Sequence, residues 1–81
     1  MYIKVKNISE FEVVSDIFQK QGYNFNIYSE WIPEGFRKPL FGVYFVYIGI
    51  EFGLIDWKYA IPDTYIAYDV FIRDNKLNRV I

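Results

Sequence analysis

The chain has 81 residues, a formal net charge of −1 and eighteen aromatic residues, but neither histidine nor cysteine. These values predict one small domain over residues 1–81. They exclude disulfides, the zinc sites built from Cys and His and a Ser–His catalytic pair. Nine basic and ten acidic residues are mixed along the chain, which argues against the clustered positive charge of a nucleic-acid binder.

The first predicted elements are a strand and a helix. Tyr2–Lys6 alternates in hydropathy, as a half-buried strand does. A helix is predicted from Glu10 to Gln21, because Ser9 and Glu12 have the spacing of a capping box. Gly22 follows at the position where a positive φ ends a helix. The apolar residues of this segment recur at helical spacing and form one stripe: Phe11, Val14, Ile17 and Phe18.

The rest of the chain is predicted as strands, with a turn at Asp74-Asn75. The expected order is β-α-β-β-β-β-β, or β-α-β-β-β-β if the middle strands merge, which is an α+β domain with one N-terminal helix packed on a mostly antiparallel sheet of four to six strands. Residues 49–51 are expected to form the turn before the 52–57 strand. The predicted strands after the helix are 23–28, 40–48, 52–57, 64–72 and 77–81.

These strands carry apolar residues on both faces. In the 40–48 segment, Val46 and Ile48 alternate with Phe45 and Tyr47. One helix covers only one face of a sheet, so the second face must curl on itself, be covered by a loop or meet another molecule. Exposed apolar surface often marks an interface.

Two irregular segments, 29–39 and 57–63, contain the candidate partner-binding residues. Trp, Tyr and Arg contribute most of the binding energy of many interfaces. The alternative is that the aromatic side chains of each segment fold back over the small core. The candidates are Trp31, Phe36, Arg37, Lys38, Trp57 and Tyr59.

The polar residues form no recognisable catalytic or metal-binding pattern. Glu30 and Glu34 flank Trp31, as carboxylates flank aromatic residues in glycosidases, but so short a chain leaves little room for a sugar cleft. Asp69 interrupts an apolar segment and is expected to face solvent or to pair across the sheet. We therefore expect no catalytic residue, no metal and no cofactor.

The apolar runs are too short for a membrane span. The longest, Val43–Ile48, falls far below the roughly 20 residues that a bilayer requires. Together with the absence of cysteine, this predicts a cytoplasmic protein.

Three segments carry a resemblance to known proteins: Tyr2–Val5, Lys20–Tyr23 and Ile32–Phe36. With the Asn-, Ile-, Tyr- and Lys-rich composition, they resemble short phage and prophage proteins of Gram-positive, AT-rich bacteria. Such proteins include small antagonists of host defence, among them anti-CRISPR proteins, which occlude a surface of a host protein. The resemblance implies a non-catalytic inhibitor with a host protein as partner, and it assigns no functional residue.

Three hypotheses about function remain open. The first is a phage-type inhibitor that binds a host protein. The second is a self-assembling structural or accessory domain that uses its apolar sheet face in a homo-oligomer. The third is a small-ligand module with a tyrosine-lined pocket for a nucleotide-like molecule.

Overall fold

A computed structural model describes residues 1–26 and 45–79, with side chains as far as Asn75. In this part of the chain, a five-stranded sheet carries two helices. The predicted α+β class, the N-terminal helix and the number of strands are confirmed. The elements are β1 (Tyr2–Val5), α1 (Ile8–Lys20), β2 (Asn24–Phe25), β3 (Val46–Glu51), β4 (Leu54–Lys58), β5 (Tyr65–Ala67) and α2 (Tyr68–Arg79).

The sheet is mixed, with strand order β2-β4-β3-β1-β5. Strand β3 pairs antiparallel with β1 and β4, whereas β1–β5 and β2–β4 are parallel pairs. The parallel pairing of β1 with β5 places the first strand of the described chain beside the last one. Of the predicted strand segments, residues 27–28, 40–44 and 80–81 lie outside the described residues.

Both helices pack on the same face of the sheet. Phe18 of α1 and Phe71 of α2 lie 5.6 Å apart between ring centroids and belong to one core with the strands. The register places the inward-facing strand residues side by side: Ile3 opposes Ile48, and Val5 opposes Val46. The fully or nearly fully buried core residues are Ile3, Val5, Phe11, Val14, Ile17, Phe18, Val46, Ile48, Ile55 and Phe71.

Helix α1 begins two residues earlier than the sequence predicted. Its N-cap is Asn7, whose Oδ1 accepts the Glu10 N–H at 2.8 Å. The Glu10 carboxylate accepts the Lys6 N–H at 3.1 Å. Asn7 and Glu10 therefore cap the helix in place of the predicted pair, Ser9 and Glu12. Asn is as good an N-cap as Ser.

The C-terminal end of α1 follows the prediction. Gly22 has φ +100°. The Tyr23 N–H reaches the Phe18 carbonyl and the Gly22 N–H reaches the Gln19 carbonyl, which is a Schellman motif. The rings of Phe18 and Tyr23 meet edge to face with centroids 6.5 Å apart.

The strand predicted at 64–72 is confirmed only for Tyr65–Ala67, and the described residues of the strand predicted at 77–81, residues 77–79, are helical. Strand β5 has only three residues, and α2 continues from Tyr68 to Arg79. Residues 65–72 are apolar except for Asp69 and fit the period of a strand or of a helix, but only the helix brings Phe71 onto α1. Asn75, predicted to form a turn, lies within α2, and its Nδ2 donates to the Phe71 carbonyl at 2.9 Å.

The turn between β3 and β4 was also misplaced. Residues 49–51, predicted as a turn, belong to β3, and the chain reverses at Phe52 and Gly53. Both residues have positive φ, +53° and +78°, as the central residues of a type I′ hairpin do. Gly53 adopts this conformation without strain, whereas the left-handed region costs a residue with a Cβ about 1–2 kcal/mol.

Candidate functional site

The sheet face opposite the helices carries a cluster of aromatic and lysine side chains. Side chains alternate along each strand, so the residues between the core positions point to this face. The register makes them neighbours: Lys4 opposes Tyr47, Tyr47 opposes Lys58, and Tyr2 opposes Tyr65. We call this surface the aromatic–lysine face; it consists of Tyr2, Lys4, Phe45, Tyr47, Lys58 and Tyr65.

The ammonium group of Lys4 lies near two rings at one end of this face. Its Nζ is 4.0 Å from the centroid of Phe45 and 5.8 Å from that of Tyr65. Tyr65 in turn meets Tyr47 at a centroid distance of 5.1 Å. Tyr47 is buried, but Phe45 and Tyr65 keep 41% and 42% of their surface exposed. This end therefore presents two half-exposed rings around one ammonium group.

Tyr2 connects this cluster to the β3–β4 hairpin. Gly49 opposes Tyr2 across the strands, and a Cβ on Gly49 would lie 3.0 Å from Tyr2 Cδ1. The bare glycine lets the ring lie close to β3. From there the Tyr2 hydroxyl donates to Glu51 Oε1 at 2.7 Å, and Lys58 Nζ lies 4.7 Å from the ring centroid.

Two tyrosines of this face have raised pKa values. Burial, the hydrogen bond to Glu51 and the nearby carboxylates of Glu51 and Asp56 raise the pKa of Tyr2 far above its ordinary value. Burial, with a smaller effect of Tyr65, raises the pKa of Tyr47. Both phenols therefore stay protonated at neutral pH, and the Tyr2 hydroxyl donates its hydrogen bond to Glu51.

Replacing Tyr2 with phenylalanine should weaken the fold at neutral pH and reduce its sensitivity to alkali. The lost bond to Glu51 is worth about 0.5–1.5 kcal/mol. Because the pKa of Tyr2 is raised in the folded state, its contribution to stability is complete below the unfolded value of about 10 and is lost as the pH rises toward the folded value. Urea denaturation between neutral and alkaline pH measures both effects. If the free energies of unfolding of wild type and variant fall in parallel with pH above about pH 10, the raised pKa assigned to Tyr2 is contradicted.

Of the six residues predicted to bind a partner, the structure describes two, Trp57 and Tyr59. Trp31, Phe36, Arg37 and Lys38 lie outside the described residues. Trp57 opposes Ile48 in the register and is half-buried on the helix-covered side. Its ring contacts Tyr59 at a centroid distance of 5.3 Å.

Sequence reasoning did not select Lys4, Phe45 or Tyr65 as site residues. Lys4 and Tyr65 lie far apart in the sequence and meet only because β1 and β5 pair in parallel. Alternation within the segments indicated which residues share a face, but not which strands are neighbours.

A small polar pocket of about 280 Å³ lies beside Tyr2. Its charged side chains are Lys58, Glu51 and Asp63. Within residues 1–26 and 45–79, no group of three or more acidic side chains is placed to hold a metal ion. Neither of the helices in this part of the chain is long and apolar enough to cross a bilayer.

Comparison with known proteins gave no match to a protein-family model, a curated protein or a solved structure.

Proposed function

We propose that this protein is a small, non-catalytic binding protein that recognises another protein through the aromatic–lysine face. The observation that supports this most is the pair of half-exposed rings, Phe45 and Tyr65, held on either side of Lys4. Aromatic residues bury a large area for little lost conformational entropy and are enriched where binding energy is concentrated.

The positions of the lysines indicate the chemistry of the partner. Among the described side chains, neither Lys4 nor Lys58 is in an ion pair; each ammonium lies over aromatic rings. A partner carboxylate would therefore find a cation already held in place by the rings. The face fits a protein surface that presents an acidic side chain beside an apolar one.

A single-stranded nucleic acid fits the same face less well. Base stacking requires a free ring face, but Lys4 Nζ lies over Phe45 and Lys58 Nζ lies over Tyr2. The formal net charge of −1 adds no attraction for phosphates.

A nucleotide-like ligand is also disfavoured at the polar pocket. Glu51 and Asp63 line the pocket together with Lys58. Both carboxylates carry the same sign of charge as a phosphate and would repel it.

The resemblance to phage proteins makes a host protein the partner that we propose. Occlusion of a surface on such a protein, in the host cytoplasm, needs no catalytic group in this chain.

A tagged pull-down from a nuclease-treated bacterial lysate tests the proposal. The double variant Phe45→Ser/Tyr65→Ser removes two half-exposed rings and should keep the fold. Its control, Val13→Ser/Ile61→Ser, removes two exposed apolar side chains elsewhere. We expect a protein that wild type and control retain in near-stoichiometric amount and that the face variant loses by at least about tenfold, since a binding hot spot costs 2 kcal/mol or more.

Two results would count against the proposed function. One is recovery of the same protein by all three baits, and the other is recovery of the bait alone. Circular dichroism of each variant verifies that a loss of binding does not come from unfolding.

A further inference from the structure

Strand β5 forms one edge of the sheet beside the aromatic–lysine face. Within residues 1–26 and 45–79, β1 is the one strand that pairs with it. An edge strand presents backbone N–H and C=O groups on its outer side, and an extended segment of another protein can pair with them. Tyr65 and Ala67 are exposed and Ile66 is half-buried, so water reaches this edge.

The register places Ala67 next to a cation of the aromatic–lysine face. Lys4 opposes Ala67 in the parallel pairing of β1 with β5. Ala67 carries only a methyl group, so its side chain does not separate Lys4 from the outer side of β5. Neighbouring strands lie about 4.8 Å apart, so a strand added to β5 would lie about 10 Å from β1. A lysine and a glutamate side chain together bridge that separation.

The two positions of β5 on this face favour different side chains in an added strand. Beside Ala67, a carboxylate would come within reach of Lys4, which is in no ion pair among the described side chains. Two residues along the added strand, an apolar side chain would lie beside the half-exposed ring of Tyr65. Cross-strand pairs of these kinds stabilise a sheet.

We propose that the partner adds an extended segment to the outer side of β5, with an acidic side chain beside Ala67 and an apolar one beside Tyr65. This inference rests on the proposed function, because it names the element of the partner that meets the face. A second copy of this chain fits the edge less well. Antiparallel self-pairing of β5 about Ile66 would place Tyr65 beside Ala67, and the other edge strand, β2 (Asn24–Phe25), has no acidic residue.

The test is a titration of the isotope-labelled full chain with the capped peptide Thr-Glu-Thr-Val-Thr-Glu-Thr, followed by the NMR signals of the backbone amides. The peptide is symmetric about its valine. With the valine beside Tyr65, either strand direction therefore places a glutamate beside Ala67. We expect the signals of Tyr65–Ala67 to shift and to saturate with a dissociation constant on the order of 0.1–1 mM.

Two control peptides separate the ion pair from strand pairing. A peptide with glutamine in place of both glutamates should bind about two- to fivefold more weakly, because it lacks an exposed ion pair. A peptide that is N-methylated at its central Thr-Val-Thr cannot donate backbone hydrogen bonds there and should leave the signals of β5 unchanged.

Variants of the protein test the positions that the register assigns. Lys4→Gln should bind the glutamate and glutamine peptides equally. Ala67→Glu should lose the glutamate peptide, because its own carboxylate would lie opposite Lys4. Ala60→Glu adds the same charge at an exposed residue elsewhere and should bind as wild type does.

Three results would overturn the inference: no shift at Tyr65–Ala67 up to about 5 mM peptide, equal binding of the N-methylated peptide, or a Lys4→Gln protein that still prefers glutamate. Signals of β5 that shift with protein concentration alone would also overturn it, in favour of self-pairing. The titration needs no captured partner. A failed titration with a successful pull-down would therefore remove this inference alone, and the opposite pair of results would remove the proposed function.

Discussion

Replacing Gly49 with alanine is expected to lower the free energy of unfolding by about 1–3 kcal/mol. An added Cβ would lie 2.5 Å from the Met1 carbonyl oxygen, 3.1 Å from Tyr2 Cα and 3.0 Å from Tyr2 Cδ1. Two of these atoms belong to the backbone at the start of β1, so either the strand pairing or the ring must move. Moving the ring also disturbs the hydrogen bond to Glu51 and the contact with Lys58.

Gly22 provides a control in which the cause is different. Nothing lies within 4 Å of a Cβ built there, but its φ is +100°. Gly22→Ala should therefore be destabilising through backbone conformation, and Gly22→Asn should be milder because asparagine tolerates positive φ. At Gly49, asparagine should be at least as harmful as alanine, because space is limiting there. Urea denaturation of the four variants measures their free energies of unfolding. A Gly49→Ala protein as stable as wild type would refute the close approach of Gly49 to the Met1 and Tyr2 backbone.

Replacing Ile48 with alanine is expected to cost about 2–5 kcal/mol, the range for a cavity left by a large buried aliphatic side chain. Ile48 has no exposed surface. It lies on β3, the middle strand of the five. This loss would take much or all of the stability of a small domain.

Ile61 makes the matched comparison, because it is 72% exposed. Ile61→Ala should change the free energy of unfolding by no more than about 0.5 kcal/mol. Thermal or urea denaturation of the two variants measures the difference. Similar losses at both positions would contradict the assignment of a single core on the helix-covered side of the sheet.

Local patterns predicted α1 well because the residues that define it, an apolar stripe and a terminal glycine, lie close together in the sequence. The stripe formed by Phe11, Val14, Ile17 and Phe18 is buried, and Gly22 ends the helix with a positive φ. The start of the helix was harder to place. Two overlapping cap patterns, Asn7 with Glu10 and Ser9 with Glu12, fit the sequence about equally well.

The C-terminal elements show where local patterns fail. Residues 65–72 are nearly all apolar, and such a run does not separate the strand period from the helix period. Burial of Phe71 against Phe18 stabilises the helix, and this tertiary contact is not visible in the sequence. In the same way, the sequence predicts a turn at Gly49. The reason for a glycine within the strand is the nearby ring of Tyr2, which only the structure shows.

The aromatic–lysine face was predicted only as an unassigned second apolar face. Its members come from β1, β3, β4, β5 and the residue preceding β3, and the order of the strands decides which of them touch. Lys4 lies between Phe45 and Tyr65 because β1 is flanked by β3 and β5. Strand order depends on long-range pairing, which alternation along one segment does not encode.

Footprinting of the complex with the captured partner tests the central claim most directly. Hydroxyl radicals modify exposed aromatic side chains, and Phe45 and Tyr65 are exposed enough in the free protein to report. We expect both rings to become protected in the complex, while Tyr59, which also reports in the free protein, keeps its reactivity. Protection of Trp31 and Phe36 with unchanged modification of Phe45 and Tyr65 would contradict the account and would place the binding surface in the 29–39 segment.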